Sequence, residues 1–291
     1  MNELDRKAWI TIPVIVAAGA AVAWAGSQGG LSKGGVPVFA LAAVLAFGIN
    51  WVAFVPAFVS KTERFFDLIG SITYVSVVVT ALLLAQASEP RALLLGGMVL
   101  VWAVRLGSFL FSRINRDGGD ARFDQIKPSF PRFLRAWTLQ GLWVLLTLAC
   151  ALAAITNPRP VSLGLFALVG SVVWAIGFSV EVVADRQKKR FRADGRNRGR
   201  FIQSGLWAWS RHPNYFGEIL LWTGVAVIAF PALAGGQLIT LISPLFVLLL
   251  LTQISGVRML EERAEKQWGQ DPEYRAYKSG TPTLLLRKPR G

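Results

Sequence analysis

Glu181 and Asp185 stand four residues apart in the run VEVVADRQKKRFR, and Lys189 and Arg192 continue the same line. On a helix these positions share one face, so two carboxylates lead into two cations along a single stripe. Such a stripe is either the solvated end of a helix or a ligand grip. In the second case the acids take ribose hydroxyls or an amide, and the cations take phosphate oxygens, for which arginine is the favoured partner. A second group follows in SRHPNYFGEILLW. There Arg211 and His212, the only histidine of the chain, precede Pro213 at an expected first helical position, with the Asn214 amide near the helix N-terminus. Tyr215 and Glu218 are three apart and share a face. Glu218 already lies in apolar sequence, where a carboxylate is functional by default or is paired with a neighbour such as Arg211. His212, beside Arg211 and just before a helix start, is read as a ligand contact. From Asp185 to Arg211 the chain carries nine Lys and Arg. A block so basic, set against hydrocarbon, is costly unless it meets something anionic.

Polar groups at membrane level occur in three further places. Arg105 interrupts LVWAVRLGSFLF and is expected to face a polar cavity or a carboxylate, Asp67 or Glu63. The run KTERFFDLIGSITY supplies that Glu and Asp together with Tyr74. After the last apolar run, SGVRMLEERAEKQWG sets Arg258, Glu261 and Glu262 on an emerging helix. Surface ion pairing accounts for those three unless the fold returns the helix to the basic block. No GxGxxG follows a strand and there is no GxxxxGK[ST], so a nucleotide here is not held by a Rossmann or P-loop device. One histidine excludes a histidine metal cluster, no metal is expected, and the single Cys150 lies in an apolar run and is expected to pack.

These residues need elements to hold them. The 291-residue chain is 53% hydrophobic with mean hydropathy +0.47 and eleven Trp. Eight apolar runs, near 8–26, 36–59, 65–87, 92–111, 135–156, 161–184, 214–232 and 237–257, are each long enough to cross ~30 Å of hydrocarbon. Continuous rather than alternating runs exclude a β-barrel. The expected fold is an all-α, polytopic integral membrane bundle of about 7–8 transmembrane helices. Pro231 and the AGGQ turn leave open whether the 214–257 pair crosses fully. Although the net charge is +14, the cations fall between the spans rather than in one nucleic-acid-binding face, so no nucleic-acid partner is expected. With the N-terminus inside, 27 Lys and Arg fall on one side against Lys33, Arg91 and Arg159 on the other, which places both termini in the cytoplasm. Trp9, Trp24, Trp51, Trp207 and Trp209, near run ends, are read as interfacial anchors.

The segment DRQKKRFR followed by GRFIQSGLWAWSRHPNYFGE resembles the membrane steroid 5-alpha-reductase-like family, in particular its bacterial DUF1295 branch. A wider kinship through an RHPxYxG-like core reaches sterol C=C reductases and isoprenylcysteine methyltransferases. The resemblance is specific over 185–218 and looser over about 100–260. It implies an NADPH-dependent reductase in a bacterial inner membrane. Residues 1–90 then form N-terminal transmembrane helices and 91–291 a catalytic core open to the cytoplasm, and a lipophilic enone enters from membrane lipid. The resemblance carries cofactor binding onto Arg105, Asp185, Arg192, Asn214 and Glu218, with Glu181 where the steroid enzymes have Asn; Lys189, Arg211, His212, Tyr215, Arg258 and Glu262 join them as candidates from their place in the same motifs. Chemistry falls to Asp67, Tyr74 and Glu218. Two departures stand out: Trp102 occupies the position of the family's substrate-gripping Tyr, three before Arg105, and the series after the last span reads Arg258, Glu261, Glu262. Methyl transfer from S-adenosylmethionine to a lipid-linked acceptor, and a transporter or lipid-binding scaffold, stay as alternatives.

Overall fold

Inside a bilayer no water is present to satisfy backbone N–H and C=O groups, so an apolar run must close its hydrogen bonds within itself, as a helix. The computed structural model describes residues 2–117, 119–120 and 123–288 and follows that rule throughout. Arg122 and Arg290, both counted above among the cations of the basic side, lie outside the described residues. The helices are α1 (Glu3–Ser27), α2 (Val38–Val59), α3 (Phe66–Leu84), α4 (Pro90–Asp117), α5 (Phe130–Ile155), α6 (Leu165–Ala193), α7 (Pro213–Ala229), α8 (Ile242–Leu249), α9 (Val257–Trp268) and α10 (Pro272–Gly280). Eight segments among the described residues are long and apolar enough to span. The chain is an all-α polytopic membrane bundle.

Local chemistry sets the ends. Asn2 caps α1 by accepting from the Asp5 amide at 2.8 Å. Between α1 and α2, strands β1 (Ser32–Lys33) and β2 (Val36–Pro37) form a two-residue hairpin. Gly34 and Gly35 turn it at φ 58° and 80°, the doubly positive pair that a type I′ turn requires. Two elements depart from the expected runs. α6 continues to Ala193, well beyond 184, so one helix carries the acids and cations out of the apolar stretch without a break. The last span, Gly235–Trp268, is composite: a 3-10 turn (Gly235–Leu241), α8, a π turn (Leu250–Ile254) and then α9 after Gly256.

The helices sort into two compact units. The first comprises the chain to Phe166 together with Ile228–Ser243. Its axis is α5, whose residues from Leu142 to Ile155 are buried almost throughout among α1, α2, α3 and α4. Arg91, 4% exposed, is satisfied by carbonyls alone: it donates to Ser162 O at 2.6 Å, to Val161 O at 3.3 Å and to Ile228 O. Ser243 donates to Leu146 O and accepts from the Cys150 amide, and Cys150 itself is buried.

The second unit holds Ala167–Val227 and Pro244–Gly291. Its two long helices meet backbone to backbone. A Cβ on Gly177 would fall 2.5 Å from Leu221 N, one on Gly217 2.6 Å from Glu181 N, and one on Gly224 2.6 Å from Gly170 O. Small residues seven apart on both helices permit this approach, the usual means by which membrane helices gain contact where water gives no hydrophobic drive.

Candidate functional site

The glycine contact between α6 and α7 decides what stands near the carboxylates of the stripe. Gly217 lies on the Glu181 backbone, so the first turns of α7, with Asn214, Tyr215 and Glu218, run beside the end of α6. Glu181 and Asp185 are 2% and 4% exposed, whereas Lys189 and Arg192, further along the same face, are exposed. The stripe therefore passes from buried acid to solvated base within one helix.

The loop after α6 is held at many points. Gln187 accepts from the Leu206 amide at 2.9 Å and fills the space that a side chain on Gly205, at φ 63°, would need. Trp207, read from sequence as an interfacial anchor, is instead 3% exposed: its indole donates to Ala184 O at 3.0 Å and the Lys188 ammonium lies 4.5 Å from its ring centre. The ring is drawn inward because that carbonyl is the acceptor its N–H needs once water is excluded. Tyr277 on α10 donates to Trp207 O at 2.7 Å, and Phe201 packs among Trp268, Tyr274 and Tyr277. The C-terminal segment completes the clamp. Arg211 N donates to Pro282 O and Arg287 N to Trp209 O, while Ser210 Oγ donates to Leu284 O at 2.9 Å.

At the centre is a contact that joins two distant motifs. Arg211 Nη1 lies 2.6 Å from Glu261 Oε2, and His212 Nε2 lies 2.8 Å from Glu261 Oε1. One carboxylate thus holds both residues that precede α7. Arg211 also donates to Thr283 Oγ1 at 2.5 Å, and the His212 ring stacks on Tyr215 with centres 5.8 Å apart. The partner suggested for Arg211 from sequence was Glu218; the structure gives Glu261. Glu262, one residue on, pairs with Arg258 at 3.2 Å with both side chains well exposed, as a surface pair. Burial holds the His212 pKa below its ordinary value of 6.5, against the opposing pull of Glu261. The neutral ring donates from Nε2, which leaves the buried Nδ1 as an acceptor with no hydrogen-bond partner among the described residues.

Asp67, Tyr74 and Arg105 belong to the first unit, the first two on α3 and the last on α4. Ser71 donates to Ala103 O at 2.6 Å and abuts Gly107, and Tyr74 meets Trp102 edge-on with ring centres 5.0 Å apart. A phenol therefore sits against the Trp102 ring. Arg105 lies 5.5 Å from the Phe109 ring centre. Glu63, one of its two suggested carboxylates, is 7% exposed and bonds instead to Lys127 Nζ at 3.1 Å and the Asp120 amide at 3.0 Å.

A family model described as a protein of unknown function, DUF1295, matches residues 53–281. The chain belongs to the DUF1295 family. That match contains both the α6 stripe and the Arg211–His212–Glu261 contact of this DUF1295 protein. A curated relative, a probable 7-dehydrocholesterol reductase of Acanthamoeba polyphaga mimivirus, is 39% identical over 85 residues, covering 24% of this chain and 19% of the relative. The match thus spans about a fifth of that reductase. Within that stretch the DUF1295 chain is similar to a protein named as a reductase, a hint of oxidoreductase kinship. No solved structure matches.

Proposed function

We propose that this protein is an NADPH-dependent membrane reductase acting on a C=C bond conjugated to a carbonyl in a steroid-like or other lipid. The observation that carries the reading is the α6 stripe, in which buried Glu181 and Asp185 give way to exposed Lys189 and Arg192. A dinucleotide phosphate has the matching polarity, hydroxyls and an amide at some points and phosphates at others. The donor set fits. Glu181 and Asp185 accept from hydroxyl or amide groups, and Lys189 and Arg192 bind phosphate. Asn214, Tyr215 and Glu218 border the same helix end. The chemistry that NADPH supplies when bound is a hydride for the β-carbon of a polarised enone. Glu218, in the same unit as the stripe, is the candidate for donating a hydrogen bond or proton to the carbonyl oxygen. The positive-inside distribution puts both termini and the mouth of this site in the cytoplasm.

The test is turnover. Purified protein given NADPH and a panel of enone lipids should consume NADPH as the saturated ketone appears. Arg192→Ala should raise the KM for NADPH about tenfold and leave that for NADH nearly unchanged, since an arginine–phosphate contact is worth about 1.5–3 kcal/mol. Equal losses with both would remove the phosphate role from Arg192. Methylation of a lipid acceptor by S-adenosylmethionine, with no NADPH consumed, would replace the reading altogether.

A further inference from the structure

The first unit contains a cavity of about 770 Å³ outside the residues discussed above. Val44, Gly48 and Val52 line it along α2, and Ile69 of α3 and Trp137 of α5 complete its wall. Val44 and Val52 are 70% and 74% exposed, so within a bilayer the groove opens toward lipid. From Val44 to Ser60 it follows α2 for ~24 Å, past the mid-plane of a hydrocarbon core ~30 Å thick.

Its two ends differ in chemistry. The length along α2 is apolar. At the end of α2, Ser60, Thr62 and Phe65 form the lining, and Lys61 and Arg64 lie between them in sequence. Lys61 is held there. The helix closes with Lys61 N to Phe58 O and Thr62 N to Ala57 O, the paired bonds of a Schellman cap, with Lys61 at φ 49° in the place where glycine is usual. Its ammonium lies 3.3 Å from the Phe58 ring centre, and the Arg64 guanidinium lies 5.9 Å from that of Phe65.

We propose that this groove is a binding site for an anionic phospholipid. One acyl chain lies along α2, and the phosphate meets Lys61 and Arg64 with the Ser60 and Thr62 hydroxyls. Charge complementarity selects the headgroup, because cations near a membrane surface favour anionic lipid. The site is independent of the reductase reading and uses none of its residues.

The probes are phosphatidylglycerol and phosphatidylcholine with identical chains, added to delipidated protein in detergent and followed by native mass spectrometry and thermal stability. Phosphatidylglycerol should bind on the order of tenfold more tightly than phosphatidylcholine. Lys61→Gln with Arg64→Gln should abolish that preference. Gly48→Leu should weaken phosphatidylglycerol binding while the helical circular dichroism is kept, because a Cβ at Gly48 meets nothing within 4 Å and the side chain would fill the groove. Equal affinity for the two lipids would overturn the proposal. So would a preference that survives the double variant, or stabilisation by inorganic phosphate alone as large as that by phosphatidylglycerol.

Discussion

Glu261→Ala is expected to lower the unfolding free energy by about 3 kcal/mol, the cost of leaving a largely buried charge without its partner. Arg211 and His212 are only 12% and 7% exposed at the side chain, so solvent cannot take over from the lost carboxylate. Arg211 would keep Thr283, but its Nε is already without a partner, and His212 would lose the acceptor for Nε2–H. Glu262→Ala is the control. Its pair with Arg258 is 60–71% exposed, and exposed pairs contribute about 0–1 kcal/mol, so that loss should be small. Denaturant unfolding in detergent measures both, and similar losses from the two would mean that Glu261 is not the clamp. Burial of His212, which the Glu261 contact only partly offsets, sets a pH dependence. The folded His212 has a lowered pKa, so between that value and 6.5 the unfolded chain binds more protons than the folded one. The stabilisation is fully present above pH 6.5 and is lost as the pH falls through the folded value. In His212→Gln that part of the slope should vanish.

Gly217→Val should separate α6 from α7 and remove activity with stability. Its Cβ would stand 2.6 Å from both Glu181 N and Gly177 O, and those are backbone atoms with no rotamer to yield. Overpacking typically costs about 1–3 kcal/mol, and a β-branched side chain at a backbone contact belongs at the upper end. Glu181 is displaced from the start of α7 by the same movement, so ligand affinity should fall further than stability alone explains. Gly97→Ala provides the contrast. A Cβ there meets nothing within 4 Å, and replacing a mid-helix glycine by alanine is worth up to about 1 kcal/mol in the stabilising direction. Thermal unfolding of the two variants should shift in opposite directions; two shifts of the same sign would contradict the close contact between α6 and α7.

Much of the site can be read from the chain because helical spacing carries it. Glu181, Asp185, Lys189 and Arg192 share a face whatever the tertiary fold, and apolar length alone locates eight spans. What spacing does not carry is the choice between neighbours. Glu261 and Glu262 are adjacent and chemically alike, yet one holds Arg211 from fifty residues away while the other pairs on the surface. Only the packing of α9 and the C-terminal segment against the 209–211 loop separates them. Trp207 was hidden for the same reason: position near a run end suggests an anchor, and the acceptor that draws it inward is Ala184 O on another element. The π turn before α9 leaves no composition signal, since LLTQI holds neither proline nor glycine.

Titration of purified protein with NADPH, NADH and S-adenosylmethionine, followed by thermal stability, bears most directly on whether the end of α6 grips a phosphorylated electron carrier. NADPH should raise the unfolding temperature most, by ligand linkage, with a smaller rise from NADH and none from S-adenosylmethionine. A rise with S-adenosylmethionine alone, or with none of the three in well-folded protein, would contradict it.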